Sequence, residues 1–598
     1  MNHERIRNAV RQTRLAALLL SLTWLVSCSS PGSSGQPAAG QAAPHSSAIA
    51  PSSAKAIVSP VANLEAAPKM MSAPAPAPAP AVSPAPMPSG APVAARAMMA
   101  PLVAAPMMVA APTPMDTAKY EAFSDNPWKR VVEHPVSTFS ADVDTGSYAN
   151  VRRFINRGQL PEKDAVRVEE LVNYFGYDYA VPPESNPHPF VVDTRLVVSP
   201  WNAERTILRI ALKGKDVAKA TLPPANLVFL VDVSGSMGPA DRLPLVRSSL
   251  KLLANQLRPV DRVSIVSYAN GTRVVLTPTP GNEKDRIINA LDSLSAGGGT
   301  YGEAGIRLAY AQARQAQIPG GINRVLWATD GDLNIGVVSP QELKTLVEGE
   351  RKNGTSLTAL GVGDNNFNEA LMKRLADVGD GSYHYLDSLQ EAHKVLVNEM
   401  TSTLAVIAQD VKLQVEFNPA NVSEYRLLGY ELRALTREQF NDDKVDAGDV
   451  GAGHTVTALY ELVPKGKKGS VDPLRYQTSK AAKETDSGDA PEAKHMGKQG
   501  ELAWVKLRYK VPGQKVSKLV EFPVHKPAKT PTLAEADTDL KFALAVAGWG
   551  QWLRASTLIG DFAPDKILDL AREARGTDRY GHRAEFLRLV ELSASLGR

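Results

Sequence analysis

A single cysteine, Cys28, in 598 residues excludes any intramolecular disulfide, so the folded part must be held by its core. Aromatic residues are 6% of the chain, and no basic stretch is interleaved with them. The formal charge is only +4; Arg5, Arg7, Arg11 and Arg14 against Glu4 place +3 of it at the N-terminus and leave +1 for the rest. That balance points to neither nucleic acid nor an anionic surface as a partner. The sequence has no Gly-x-Ser-x-Gly elbow and no Walker-type phosphate loop, and its ten histidines do not cluster. Nucleophile-elbow hydrolases and P-loop enzymes are thereby set aside.

What is present begins with an address. Residues 1–27 combine the positive arginines with a short apolar core, Leu15 to Val26, well under the ~20 residues that a bilayer-spanning helix needs. The core ends in Leu25-Val-Ser-Cys28, which resembles a bacterial lipobox and makes Cys28 the expected lipidation site. Ser29 rather than Asp follows it, which by the sorting rule of enteric bacteria favours the outer membrane, facing the periplasm or the surface. Residues 28–115 are rich in Ala, Pro, Ser and Met, with an Ala-Pro run at Ala73–Pro80 and almost no charge. Such a segment cannot bury enough surface to fold and is expected to be a disordered tether. Fully extended as polyproline II, it would reach roughly 270 Å at ~3.1 Å per residue.

Three short stretches far apart in sequence spell a divalent-metal site. Asp232-Val-Ser234-Gly-Ser236 follows the apolar run Asn226–Val231, which reads as a buried parallel strand. In an extended exit from that strand every second side chain points the same way, so Asp232, Ser234 and Ser236 are expected to converge. Gly297-Gly-Gly-Thr300 adds another hydroxyl, and Asp330, ending a second apolar strand, adds another carboxylate. The set is hard and all oxygen, suited to Mg²⁺ or Mn²⁺. Two carboxylates only balance a 2+ ion, leaving it able to take an outside carboxylate. The bland alternative is a strand-end turn with solvated hydroxyls, but that leaves unexplained why three such pieces occur in order.

This stretch resembles a von Willebrand factor type A (VWA) domain. The wider chain, from about Tyr120 onward, resembles bacterial VWA lipoproteins of the YfbK type. The motifs that carry this are Ser137-Thr-Phe-Ser-Ala-Asp-Val-Asp144, Arg258-Pro-Val-Asp-Arg-Val-Ser-Ile265, Ala328-Thr-Asp-Gly-Asp-Leu-Asn-Ile-Gly336 and Gly451-Ala-Gly-His-Thr-Val-Thr-Ala-Leu-Tyr460. The resemblance implies a five-ligand metal-dependent adhesion site at Asp232, Ser234, Ser236, Thr300 and Asp330. It implies a fold and a site more than a defined task.

The fold class expected is α/β, a doubly wound parallel sheet (VWA, Rossmann-like) inserted in or flanked by a β-rich domain, with a helical C-terminal segment. The expected divisions are a signal peptide at 1–27, the tether at 28–115, an N-terminal family-specific domain at 116–223, the VWA domain at 224–402 and a C-terminal β-rich then helical domain at 403–598. A polar stretch at about 466–499 is expected to be a disordered loop. Leu243, Val246, Leu250, Leu253 and Leu257 recur at helical spacing and give the first crossover helix its stripe. Alternation in Val505, Leu507 and Tyr509 against Lys506 and Arg508 marks a half-buried antiparallel strand. Strands from the two flanks are expected to pair with each other. Helices are expected at Tyr148–Asn156, Asp164–Phe175, Asp539–Leu553, Pro564–Arg575 and Arg583–Leu596.

Asp144-Thr-Gly-Ser147 spells the turn of aspartic proteases, but its only second candidate, Asp486-Ser-Gly488, lies in the polar stretch. The alternative is a turn in which Asp142 and Asp144 accept hydrogen bonds. His384 and His454 sit in strand-like segments and read as satisfied structural residues. Asp332 either orients water near the metal or caps the next turn. The leading expectation is a non-enzymatic, lipid-anchored envelope protein that grips a protein ligand's acidic side chain through Mg²⁺. The runner-up is an envelope scaffold in which the metal only holds loops, and a metal-assisted or aspartic hydrolase comes third.

Overall fold

The computed structural model describes residues 120–598 apart from 142–143, 332–338, 365–367, 473, 475–499 and 598. The signal segment, Cys28, the tether, Asp142, Asp332 and Asp486-Ser-Gly488 lie outside the described residues, as does most of the 466–499 stretch.

Four strands precede the central domain: β1 (Lys129–Arg130), β2 (Val136–Ser140), β3 (Phe190–Val198) and β4 (Thr206–Gly214). The central domain contributes β5 (Ala225–Asp232), β6 (Arg262–Tyr268), β7 (Thr272–Pro280), β8 (Ile322–Thr329), β9 (Ser356–Gly361) and β10 (Tyr383–Tyr385). After it come β11 (Val406–Phe417), β12 (Val422–Leu428), β13 (Ala434–Leu435), β14 (Gly448–Gly451), β15 (Thr455–Pro464), β16 (Glu501–Lys510) and β17 (Ser517–His525). The helices in chain order are α1 (Gly146–Asn156), α2 (Val168–Asn173), α3 (Leu243–Gln256), α4 (Lys284–Asp292), α5 (Gly302–Gln315), α6 (Pro340–Lys352), α7 (Glu369–Val378), α8 (Leu389–His393), α9 (Met400–Leu404), α10 (Thr538–Leu553), α11 (Pro564–Glu573) and α12 (His582–Ser595).

The central sheet runs β10-β9-β8-β5-β6-β7. Every residue of β5 is buried, because helices cover both faces. Leu227, Phe229 and Val231 enter one core with the α3 stripe, while Val228 and Leu230 enter another with α5. All pairings are parallel except the last: β7 turns back antiparallel on β6 through a hairpin in which the Ala269 amide bonds to the Gly271 carbonyl.

The flanks do pair with each other. One sheet is ordered β1-β12-β15-β4-β3, the other β13-β2-β11-β16-β17, and each mixes strands from before and after the central domain. Leu459 of β15 faces Arg209 of β4, and Leu413 of β11 faces Phe139 of β2. Leu208, Ile210 and Tyr460 from the first sheet share a core with Leu413, Val415 and Leu507 from the second, so the two sheets form a sandwich. The central domain is thus an insertion between β4 and β11.

The C-terminal helices form a fourth core with α1 and α2. α10 is apolar all round and almost wholly buried. Its Gly550 admits Leu171 of α2, whose Cδ1 would lie 3.0 Å from an added Cβ. The expected helix over Asp164–Phe175 is broken into a 3₁₀ turn at Lys163–Ala165 and α2. A tertiary contact overrides propensity there: the Ser147 hydroxyl donates to the Ala165 carbonyl (2.6 Å) and accepts from the Arg167 amide (2.9 Å). Arg167 is thereby aimed at Glu369 of α7, which it meets with two parallel bonds of 3.0 and 2.9 Å. Arg152 of α1 similarly joins Asp387 and Glu391 of the insertion to Glu585 of α12. Losing one partner of such a buried pair costs about 3–5 kcal/mol, so these contacts fix how the insertion sits on its framework.

Candidate metal centre

In the central sheet, β6 follows β5 on one side and β8 to β10 add on the other, so the strand order reverses between β5 and β8. In open α/β sheets such a reversal, outside the carboxyl ends of the strands, is where ligands bind. Asp232 ends β5 beside Tyr268 of β6, and Asp330 follows directly on β8. Both carboxylates are fully buried.

Asp232 is held from three strand ends. The Ser234 amide donates to its Oδ1 (2.9 Å), and Tyr268 (3.1 Å) and Thr329 (2.9 Å) donate hydroxyl bonds to its Oδ2. Tyr268 in turn accepts from the Trp327 indole at 2.9 Å. Burial pushes the Asp232 carboxyl up and the Asp330 charge adds to that; the Ser234 and Thr329 bonds pull against it without cancelling it.

The hydroxyls of Ser234 and Ser236 lie 3.0 Å apart. Their convergence has a different cause from the expected extended exit. The chain leaves β5 through an Asx-type turn onto the Asp232 carboxylate and then a 3₁₀ turn over Gly235–Met237. Thr300 is brought to this loop by backbone bonds, Gly297 to the Val233 carbonyl (2.8 Å) and Gly235 to the Gly298 carbonyl (2.8 Å). Gly298 has φ +89°, and an added Cβ would lie 2.7 Å from the Asn270 amide nitrogen. A side chain there would break the seam that places Thr300.

Arg242 was not foreseen. It stands just before α3, and its guanidinium donates to Asp330 Oδ2 (2.7 Å), the Ser236 carbonyl (2.8 Å) and the Asp364 carbonyl (3.0 Å). Gly363, at φ +76°, makes room for it: an added Cβ would sit 2.5 Å from Arg242 Nε. Asp364 also pairs with Arg157, the residue just after α1, tying the site to the framework. Burial works against the Asp364 charge, but Arg157 and Arg242 hold its carboxyl below the usual range. Thr329 could have been found from its place beside Asp330, and Tyr268 from aligning neighbouring strand ends. No sequence signal marks Arg242.

Among the described residues no three His, Cys, Asp or Glu side chains gather to hold a metal. An ion here would rely on Asp232 and Asp330 with the hydroxyls of Ser234, Ser236 and Thr300. This oxygen-only set fits Mg²⁺ or Mn²⁺, and one guanidinium against two buried carboxylates leaves room for further positive charge.

The other candidates resolve differently. Asp144 is buried between Lys373 (3.2 Å) and Arg433 (3.0 Å) and accepts the Tyr383 amide (3.2 Å). Burial pushes its carboxyl up, but those two cations outweigh this and keep it charged. The Asp-Thr-Gly-Ser turn is therefore a structural anchor leading into α1, as its acceptor reading expects. His384 departs from expectation: its Nε2 meets Ser382 Oγ at 2.8 Å, but its buried Nδ1 has no partner.

Three family models match the chain: von Willebrand factor over residues 114–209, von Willebrand factor type A domain over 226–398, and the C-terminal part of the uncharacterized protein YfbK over 402–596. The chain is 49% identical over 482 residues to the uncharacterized protein YfbK of Escherichia coli K12, covering 80% of this chain and 81% of that one. It is 26% identical over 209 residues to the uncharacterized protein sll0103 of Synechocystis, spanning about half of that relative (48%). Among solved structures, a von Willebrand factor type A protein from Catenulispora acidiphila aligns over 69% of this chain and 92% of its own, with TM-score 0.36 and 16% identity. With nearly half of its residues shared across most of both sequences, the chain belongs to the YfbK family of VWA-domain proteins.

Proposed function

We propose that this protein is a cell-envelope lipoprotein, anchored through Cys28, that binds an acidic side chain of a protein partner through Mg²⁺ held by Asp232, Ser234, Ser236, Thr300 and Asp330. One observation carries the reading: two fully buried carboxylates and a pair of hydroxyls 3.0 Å apart meet at the strand-order reversal of a fold used for protein interaction. A bound Mg²⁺ would supply an electrophilic coordination position for an outside carboxylate. This chain's own part is to fix the ligands. Tyr268, Thr329 and the Ser234 amide orient Asp232, and the Gly297–Gly298 seam sets Thr300. The role is binding, without catalysis.

The scaffold alternative gives the metal only the task of holding loops. Arg242 already does that, since one guanidinium nitrogen bridges the Ser236 carbonyl and Asp330. The decisive test is titration calorimetry of Mg²⁺ into the full chain and its Asp232→Ala variant, paired with capture from envelope extract in Mg²⁺ or EDTA. One Mg²⁺ site lost in the variant, with partners captured only by the loaded wild type, is the expected outcome. Identical partners in all conditions would defeat the bridged-carboxylate model.

A further inference from the structure

A row of alternating charges joins the metal centre to the framework. Asp330 accepts from Arg242 (2.7 Å), and Arg242 reaches on to Asp364 (3.4 Å). Asp364 pairs with Arg157, and Arg157 stands 3.6 Å from Asp241. Four members of the row belong to the insertion. Arg157, directly after α1, comes from the framework. Arg153 also attracts Asp364, but Asn150 fixes its guanidinium at 3.0 Å.

The members differ in freedom. Asp330 and Arg242 are buried, so leaving either without a counter-charge is costly. Arg157 is 41% exposed and Asp241 39%, so water covers much of the cost when their pairing changes. A cavity of about 240 Å³ beside Arg157, lined also by Asp241, Gly363 and Tyr385, gives its side chain room to move.

The direction of movement follows from the charges. Without an ion, Arg157 already neutralises Asp364, and Arg242 is left to serve Asp330. With Asp232 and Asp330 neutralised by a 2+ ion, Arg242 has lost its anion there and faces a second positive charge. The next carboxylate along the row is Asp364, whose carbonyl Arg242 already holds at 3.0 Å. Arg157 then shares Asp364 with a competing guanidinium, while Asp241 stands within reach on its other side. Once Arg157 turns to Asp241, every charge in the row again has an opposite neighbour.

We infer that Mg²⁺ occupancy and the seating of the insertion on its framework are coupled through Arg242, Asp364 and Arg157, each ion pair moving one place along the row when the ion is bound. The inference rests on the metal reading above and gives that site a regulator. Any contact on the framework that draws Arg157 off Asp364 turns Arg242 away from Asp330 and raises the affinity for Mg²⁺. Linkage makes the effect reciprocal, so Mg²⁺ loosens Arg157 from Asp364.

The test is calorimetry of Mg²⁺ into the full chain, run as a double-mutant cycle. Arg157→Gln alters no proposed ligand, yet it should tighten Mg²⁺ about fivefold or more, the lower end of coupling between sites. Asp364→Asn should weaken Mg²⁺, because Arg242 then has no second carboxylate in the row to turn to. With Arg242→Gln already present, Arg157→Gln should change the affinity by less than about twofold, since the intermediary is gone. Amide exchange of the wild type is a readout that needs no variant. Mg²⁺ should speed exchange in residues 154–159, where the Gly158 amide bonds to the Ile155 carbonyl (3.0 Å) and the Gln159 amide to that of Phe154 (3.0 Å). No saturable Mg²⁺ binding by the wild type would overturn the metal site and the coupling together. Saturable binding that Arg157→Gln leaves unchanged would overturn the coupling and leave the metal site standing. So would an equal effect of Arg157→Gln with and without Arg242, which is plain charge repulsion, or exchange in 154–159 indifferent to Mg²⁺.

Discussion

Arg242→Gln separates an electrostatic lock from a metal site. In the structure the guanidinium, 10% exposed, lies 2.7 Å from the Oδ2 of Asp330, whose side chain is 1% exposed. The gross attraction is about 6 kcal/mol at an effective dielectric constant of ~20, before desolvation is subtracted. Removing one partner of such a pair leaves the other charge buried, at about 3–5 kcal/mol. Urea unfolding in EDTA should show that deficit. Mg²⁺ at ~100 times its Kd stabilises the wild type by about 2.7 kcal/mol, and it should stabilise the variant more, because the cation competing for Asp330 is gone. If the competition is worth ~1.4–2.8 kcal/mol, the variant binds Mg²⁺ about ten to a hundredfold more tightly by calorimetry. The two measurements must agree around a closed thermodynamic cycle. An equal stability deficit in EDTA and in Mg²⁺, with unchanged Mg²⁺ affinity, would refute the claim that Arg242 and the ion share Asp330.

Three further outcomes are expected. Gly298→Ala puts an alanine at φ +89° against the Asn270 amide, so it should cost about 1–3 kcal/mol in thermal or urea melts and weaken Mg²⁺ binding measured on the folded variant. Burial, together with the charge of Glu169, raises Glu431 from 4.5 to about 8 in the folded chain. Its protonated form therefore favours the fold: this contribution is fully present below pH ~4.5 and is lost as pH rises through about 8. Glu431→Gln should flatten the fall of Tm across that window, and an unchanged pH profile would remove Glu431 as the cause. Cys28→Ser should move the expressed protein from the membrane fraction to the soluble fraction and abolish labelling by a fatty-acid probe.

The parts legible in sequence were those whose cause is local. The unbroken apolar run Asn226–Val231 demands cover on both faces, and it lies at the middle of the central sheet. Alternation in Val505, Leu507 and Tyr509 gave β16 its buried face, because one side chain in two points inward. The grouping of Asp232 with Ser234 and Ser236 was legible because side chains at a strand end follow the strand directly in sequence. What escaped depends on contacts between distant segments. Arg242 meets Asp330 across 88 positions, and Ser147 reaches across 20 to cut a predicted helix short. The antiparallel course of β7 escaped as well, since a strand's direction leaves no trace in its own residues.

The insertion between β4 and β11 also sets an order of folding. The central sheet, from Ala225 to Tyr385, closes within one continuous segment, so its contacts become available as soon as that segment exists. The sandwich has no such freedom. β2 waits for β11, β4 waits for β15, and the outer strand β17 ends at His525. Long-range pairings of this kind are slow and expose unpaired strand edges until they form. A chain interrupted after about residue 400 would therefore carry a finished insertion on two open half-sheets, which makes the late strands the step at which this protein is most exposed to aggregation.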